Sequence, residues 1–179
     1  MKKIIASLLM LIVCCSINAQ DAYRMKHYKG FLDVGLSGLF IDGSNQATIS
    51  LQTSHGYQFN PYVFLGAGIG LGVNCGSDIE TTTVVPIFAQ TRFNFNADRI
   101  SPYLDIKGGY NVGDSDGGVF SPTIGVSMPV SRNCAIDFGL SYILNTHKYE
   151  YGYSSYYGYY YDTERICSHS IALGFGFEF

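Results

Sequence analysis

Apolar and polar residues alternate with a period of two along most of this chain. Between 47 and 59 the odd positions carry mostly apolar side chains, whereas the even positions carry Thr, Ser, Gln and Gly. Between 63 and 73, Val, Leu, Ala and Ile alternate with one Phe and four glycines. Side chains on a strand point alternately to opposite faces, so the pattern predicts strands that separate an apolar from a polar environment.

Eight segments show this alternation, and the sequence contains no sustained helical stripe. The predicted strands are 29–41, 47–59, 63–73, 83–96, 102–113, 119–129, 135–146 and 165–179. Most are longer than the roughly five or six residues usual in globular sheets and match the roughly 9–11 that cross a bilayer at a tilt. Short connections at 60–61, 97–101 and 130–134 are expected to alternate with longer ones at 42–46, 75–82, 114–118 and 147–164.

This arrangement predicts an all-β fold, a closed eight-stranded antiparallel up-and-down transmembrane β-barrel, because backbone groups in hydrocarbon must all be paired within the sheet. The alternative is a soluble barrel such as a lipocalin, with its apolar face inward. Charged residues are 14% of the chain, against about 25% in ordinary globular proteins. Neither strand face carries enough charge for a soluble exterior. The small net charge of −3 and the lack of a basic cluster argue against a nucleic-acid partner.

The first nineteen residues have the pattern of a signal peptide. Lys2 and Lys3 precede an apolar run at 4–13, and small and polar residues lead to Ala19. We predict cleavage there, which leaves a short periplasmic segment at 20–28 and the barrel at 29–179. The apolar run is about half the length of a transmembrane helix.

Five cysteines bear on this organisation. A lipoprotein signal ending at Cys14 or Cys15 is a weaker alternative, because bulky residues stand before them where such signals have a small one. In the mature part, Cys75, Cys134 and Cys167 have no CxxC spacing and are expected to be free thiols. A bridge between Cys75 and Cys167 stays open at this point.

Aromatic residues concentrate near one predicted rim, where amphipathic rings are expected to form a girdle. These are Tyr57, Phe59, Tyr62, Phe93, Phe95, Tyr103, Phe177 and Phe179. The final segment, 171–179, alternates apolar residues with Ala, Gly and Glu and ends on Phe179. It resembles the C-terminal assembly signal of outer-membrane barrel proteins, and the mature chain resembles the small barrels of the outer membrane protein A transmembrane domain and outer membrane protein X type. The resemblance implies recognition by the barrel-assembly machinery and an outer-membrane location in a Gram-negative bacterium.

Polar side chains on the predicted inner face should fill a narrow lumen and pair there. They are Asp33, Gln52, Gln58, Gln90, Arg92, Asp105, Lys107, Asp137 and Glu178. We expect Arg92 to lie near Asp105 and Lys107, because the turn at 97–101 joins their strands. A polar plug is favoured over a conducting path.

Two motifs suggest chemistry but lack the rest of a site. His169 lies between Ser168 and Ser170, yet neighbours on a strand point to opposite faces, which argues against a serine hydrolase. His55 and His147 are interpreted as interfacial or loop residues. The acidic segment 114–118 lacks the remaining ligands of a calcium loop and is predicted to be a turn. No catalytic residue, cofactor or metal is predicted.

The most distinctive stretch is rich in Tyr, Gly and Ser, a composition that gives adaptable recognition surfaces. Its candidate binding residues are Tyr151, Tyr153, Tyr156, Tyr157, Tyr159, Tyr160 and Tyr161. The alternative is that hairpin extensions of the last two strands only stiffen the barrel. The sequence thus favours a monomeric, non-enzymatic barrel in contact with lipid and lipopolysaccharide, with a structural or surface-recognition role and an extracellular ligand. A lipid A-modifying enzyme of the outer leaflet and a narrow pore stay as alternatives.

Overall fold

The computed structural model describes residues 27–39, 46–76, 81–96, 100–114, 116–131, 134–155 and 158–179. Side chains are described throughout these ranges except at 39, 46, 76, 148–155 and 158–165. The predicted signal peptide and its cleavage site lie outside the described residues. Within the described ranges no helix is long and apolar enough to span a membrane.

Eight strands pair in sequence order and close into one antiparallel barrel, which confirms the predicted fold. The first four are β1 (His27–Leu39), β2 (Gln46–Asn60), β3 (Val63–Gly76) and β4 (Thr82–Asn94). The last four are β5 (Ser101–Gly113), β6 (Gly117–Pro129), β7 (Ala135–Ser155) and β8 (Gly158–Glu178). β1 begins two residues before the predicted boundary at position 29.

Closure is made by β1 and β8, which pair from Phe31↔Glu178 to Leu39↔Ser170. Past the end of β8, Phe179 exchanges both backbone hydrogen bonds with Gly30, at 2.7 and 2.9 Å. A Cβ atom at Gly30 would lie 2.6 Å from the Phe179 ring, so glycine is what lets the terminal ring seat over β1. The two described chain ends therefore lie at one end of the barrel, which we call the terminal end.

The opposite end carries the β7–β8 hairpin, and we call it the ribbon end. β7 and β8 continue to Ser155 and from Gly158, so the long loop predicted at 147–164 is wrong for all but residues 156–157. The predicted alternation of connection lengths is wrong too, because the connection at 114–116 is shorter than that at 95–100. The ends differ in strand length rather than in loop length.

The outward face of the barrel is an apolar belt. Large apolar side chains on all eight strands are exposed, up to 67% for Leu173. Among the rest are Val34, Ile49, Leu65, Ile69, Ile87, Tyr110, Ile124 and Phe138. A soluble protein does not expose so continuous an apolar surface. The alternation read from sequence therefore places its apolar face outward, as a transmembrane barrel requires and a lipocalin does not.

Of the predicted girdle, Tyr103 is placed wrongly. Its ring is inside the lumen and only 6% exposed, because residue 103 has the parity of the inward Asp105 on β5. Tyr57, Phe59, Tyr62, Phe93 and Phe95 are exposed on the outer face near the terminal end, as expected.

Candidate functional site

The lumen is the first candidate site, and Arg92 is at its centre. Arg92 on β4 is 2% exposed and donates two hydrogen bonds to Asp137 on β7, at 2.6 and 3.0 Å. One of these two nitrogens, Nη2, also lies 3.7 Å from Glu178 on β8, and Nε donates to Asn94 at 3.1 Å. The guanidinium also stacks on the Tyr103 ring, 3.7 Å from the centroid. Arg suits this position because its planar fork binds a carboxylate through two parallel bonds and still stacks on an aromatic face.

A second ion pair lies farther toward the ribbon end. Lys107 on β5 donates to Asp33 on β1 at 2.7 Å and to Gln52 on β2 at 3.0 Å. Its ammonium also lies 5.1 Å from the centre of the Phe88 ring. Lys107 and its partners therefore tie together strands that are not neighbours around the barrel.

Asp105 lies beside Arg92 on the neighbouring strand, as predicted, but the two side chains do not form an ion pair. Arg92 is its direct register partner on β4, but the guanidinium donates its hydrogen bonds to Asp137 and Asn94 and lies 3.7 Å from Glu178. Asp105 instead accepts a 2.5 Å hydrogen bond from Gln90 through Oδ2. The predicted set Asp33, Arg92, Asp105, Lys107, Asp137 and Glu178 all lies in the lumen, although only across-barrel geometry shows which residue pairs with which.

Lys29 joins this network as an ion-pair partner of Glu178 and was missed by sequence reasoning. It lies at the edge of the predicted first strand, where inward or outward orientation is hard to assign. Its inward orientation could have been predicted from its position, because Lys29 and the inward Asp33 are both odd positions of β1.

Large side chains occupy the spaces left by the inner glycines. The Phe64 ring lies over Gly66, the Phe88 ring over Gly68, and the Tyr103 ring over Gly125. Among the described residues, a cavity of about 70 Å³ lies between these side chains, bordered by polar residues that include Asp33, Gln52, Asp105, Lys107 and Thr123. A space of this size holds a few small molecules of the size of water and no larger ligand. The lumen is therefore filled by its own side chains.

The second candidate site is the β7–β8 hairpin beyond the barrel. From Lys148↔Arg165 to Ser155↔Gly158, eight consecutive residue pairs join β7 to β8 alone. At about 3.4 Å per residue this ribbon extends roughly 25 Å along the strand direction. We call it the tyrosine ribbon. Tyr151, Tyr153, Tyr159, Tyr160 and Tyr161 have backbone positions on it, while Tyr156 and Tyr157 lie outside the described residues.

The serine and histidine motif separates across the sheet. His169 faces outward and hydrogen-bonds the hydroxyl of Tyr142 at 2.5 Å. Ser168 and Ser170 face inward and are 4% and 3% exposed. His169 therefore contacts neither neighbour, as predicted.

A different histidine contacts Ser168. His147 lies on β7, and its Nε2 is 3.1 Å from the Ser168 hydroxyl. His147 therefore lies on a strand and not in a loop, while its interpretation as an interfacial residue stays a prediction. Residues twenty-one positions apart meet only because β7 continues past its predicted end.

The acidic segment at 114–118 forms turn contacts. Asp114 accepts a hydrogen bond from the Thr83 amide and Asp116 one from the Gly113 amide, both at 2.8 Å. In the part of the chain that is described, no three His, Cys, Asp or Glu side chains come together as a metal site. Cys75, Cys134 and Cys167 are free thiols.

The fold is similar to those of solved barrels. The crystal structure of Neisserial surface protein A matches with a TM-score of 0.63 at 17% identity, covering 87% of this chain and 98% of that one. The solid-state NMR structure of outer membrane protein AlkL in lipid bilayers matches with a TM-score of 0.55 at 10% identity, covering 89% of this chain and 92% of that one. No family model and no curated protein matches the sequence. The chain has the fold of the small eight-stranded outer-membrane β-barrels.

Proposed function

We propose that this protein is a non-enzymatic outer-membrane barrel of a Gram-negative bacterium whose tyrosine ribbon recognises a partner outside the cell. The observation that carries the proposal is the contrast between the barrel and the ribbon. The barrel has an apolar belt and a filled lumen, whereas β7 and β8 continue for eight residue pairs past it. A barrel built only to stay in the membrane has no need of that extension.

The composition of the ribbon supports recognition rather than stiffening. A stretch of Tyr with Ser and Gly offers a large contact area at low cost in side-chain entropy. The terminal end, with its aromatic girdle and both described chain ends, is the periplasmic side in this proposal. The ribbon then stands outside the cell, in reach of a ligand and of lipopolysaccharide.

Export and assembly complete the proposal. The signal peptide at 1–19 directs secretion, and the strand ending at Phe179 is read by the barrel-assembly machinery. The seating of Phe179 over Gly30 supports a role for that residue in closing the barrel. We further propose that the protein is related to the small barrels of the outer membrane protein A and X type. In this proposal the barrel acts as a monomer.

The test replaces Tyr156, Tyr157, Tyr159 and Tyr160 together with Ser in cells that produce the full chain. Adherence of these cells to polystyrene, immobilised collagen and mucin is compared with that of the unmodified strain. We expect the loss of most adherence to at least one surface, while the barrel still shows heat-modifiable migration in gels.

The matched control replaces Tyr57 and Tyr62, two exposed tyrosines at the terminal end, with Ser. This variant should keep full adherence, because its altered rings lie on the opposite side of the membrane. Unchanged adherence of the ribbon variant on all three surfaces would refute the recognition role.

A second candidate is an enzyme that modifies lipid A, favoured by the 3.1 Å contact between His147 and Ser168. A histidine at this distance can act as the general base for a serine nucleophile. The burial of Ser168 inside the lumen argues against it, because an acyl chain of the outer leaflet does not reach that side. Lipid A from a deletion strain and from a Ser168→Ala strain should match the parent, and a shared change in both would favour the enzyme.

A narrow pore is the third candidate, and the filled lumen argues against it. Single-channel recording in planar bilayers tests it directly. We expect no stable conductance from the folded barrel.

A further inference from the structure

The charges inside the described part of the lumen do not balance. Its cationic side chains are Lys29, Arg92 and Lys107, and its carboxylates are Asp33, Asp105, Asp137 and Glu178. Every cation is in an ion pair with one or more of Asp33, Asp137 and Glu178. Asp105 is the carboxylate left without an ion pair among the described residues.

Asp105 is also buried, and one of its two carboxylate oxygens has no hydrogen bond among the described residues. It is 5% exposed, and only its Oδ2 is bonded, to Gln90. Its Oδ1 has no hydrogen-bond partner in the described part of the chain. The side chain borders the 70 Å³ cavity. A bare carboxylate oxygen buried at this depth is strongly destabilising unless something positive or a hydrogen-bond donor reaches it.

The two nearest cations do not neutralise it. Lys107 lies two residues along the same strand, but its ammonium donates to Asp33 and Gln52. Arg92 is the register partner of Asp105, yet its guanidinium is held by Asp137 and Glu178. Moving either cation to Asp105 would leave another buried carboxylate unpaired.

We propose that the lumen takes up one further positive charge at Oδ1 of Asp105, supplied by a small monovalent cation or by a proton. The cavity is bordered by oxygen-bearing side chains, which include Gln52, Ser121, Thr123 and Ser141. Carboxylate, amide and hydroxyl oxygens are the ligands that hard cations prefer. A single charge is favoured over a divalent ion, because no three His, Cys, Asp or Glu side chains of the described residues cluster as a metal site.

Other charged and titratable groups surround Asp105 and enter any pH response. They are Asp33 on β1, Arg92 on β4, Tyr103 and Lys107 on β5, Asp137 on β7 and Glu178 on β8. For this reason the measured quantity is the difference between the protein and Asp105→Asn, which keeps the shape of the side chain and the acceptor for Gln90 but removes the charge.

The first experiment follows thermal unfolding of the full processed barrel in neutral detergent. NaCl or KCl replaces choline chloride at constant ionic strength. If a small cation binds, the melting temperature rises with its concentration, by roughly 5–10 °C at a hundredfold excess over its dissociation constant. The rise should be absent in Asp105→Asn.

The second experiment varies pH in choline chloride. If a proton supplies the charge, the folded state binds more protons than the unfolded state, so stability falls as pH rises. This fall should be steeper in the protein than in Asp105→Asn. The protein should also show an infrared carbonyl band of a protonated carboxyl that Asp105→Asn lacks.

Glu178→Gln is the matched control, since it removes a carboxylate that already has cation partners, while Arg92 stays bonded to Asp137 and Lys107 to Asp33. It should lower the melting temperature and keep the cation or proton response of Asp105. Identical salt and pH responses in the protein and in Asp105→Asn, with no carboxyl band in the unmodified protein, overturn the proposal. If Asp105→Asn does not fold, the choline substitution and the infrared band of the unmodified protein decide alone.

Discussion

The two ends of the lumen are held by different kinds of bond. At the terminal end a buried Arg92 is bonded to Asp137 and stacked between aromatic rings. At the ribbon end the contacts are neutral. Asn111 donates to Asn145 at 3.0 Å, and Asn74 bonds Thr48 and Thr82 at 2.5 and 2.9 Å. Among the described residues, the lumen is thus charged and tightly packed at its terminal end and polar without ion pairs at its ribbon end.

The two kinds of bond respond differently to the loss of one partner. Removing one side of a buried ion pair leaves an uncompensated charge, which is costly, whereas the loss of a neutral bond leaves an uncharged group, whose desolvation costs less. The terminal end should therefore fix the closed barrel. The ribbon end should tolerate change, which suits the end from which the tyrosine ribbon extends.

Breaking the charged end should have the largest effect. Arg92→Leu leaves Asp137 and Glu178 without their guanidinium and should lower the free energy of unfolding by about 3–5 kcal/mol. Urea unfolding in detergent micelles measures this. Arg92→Lys keeps the charge but loses the paired bonds and the stacking, so its loss should be smaller. Equal stability of Arg92→Leu and the parent would show that the ion pairs do not hold this end.

Packing against glycine should have the next largest effect. A Cβ at Gly125 would collide with the Phe138 carbonyl and with the Tyr103 ring, and the carbonyl is backbone that cannot rotate away. Gly125→Ala should therefore lose about 1–3 kcal/mol in the same unfolding assay.

Gly38→Ala is the matched control, because nothing lies within 4 Å of a Cβ there. It should be neutral or slightly stabilising, since Ala restricts the unfolded chain more than Gly does. If Gly38→Ala lowers the free energy of unfolding as much as Gly125→Ala does, the destabilisation comes from replacing glycine in a strand and not from the contact with the Tyr103 ring.

Period-two alternation was enough to predict the number of strands, their order and the outward direction of the apolar face. The prediction succeeds because the residues on each face of a strand suit the lipid or the lumen that the face contacts, so each strand can be interpreted by itself. The pairing of Arg92 with Asp137 could not be predicted, since it joins β4 to β7 across the lumen and no sequence spacing encodes that distance. Tyr103 and the inward Asp105 are both odd positions of β5, which indicates an inward ring. The prediction of a girdle instead followed the clustering of aromatic residues near one rim.

The extent of β7 and β8 was hidden for another reason. Tyrosine alternates with polar residues or glycine from 148 to 154, so the pattern does continue along the outer part of β7. The outer part of β8 lacks it, because three tyrosines stand together at 159–161 and polar residues follow them. A composition of Tyr, Gly and Ser is also typical of loops, which favoured the loop prediction. The Ser168 contact with His147 depends on that extension and was missed with it.

The neutral end should show the smallest effect. Asn111→Ala removes the donor to Asn145 and should lower the free energy of unfolding by about 1 kcal/mol, the net value of one neutral hydrogen bond. Amide hydrogen exchange gives the sharper measurement, because the loss should be confined to the ribbon-end residues of β5, β6 and β7. Protection at Asp105 and Arg92 should be unchanged. If Asn111→Ala instead lowers the free energy of unfolding as much as Arg92→Leu and reduces protection through the whole barrel, the two ends unfold as one cooperative unit. The charged end then does not fix the barrel more than the neutral end does.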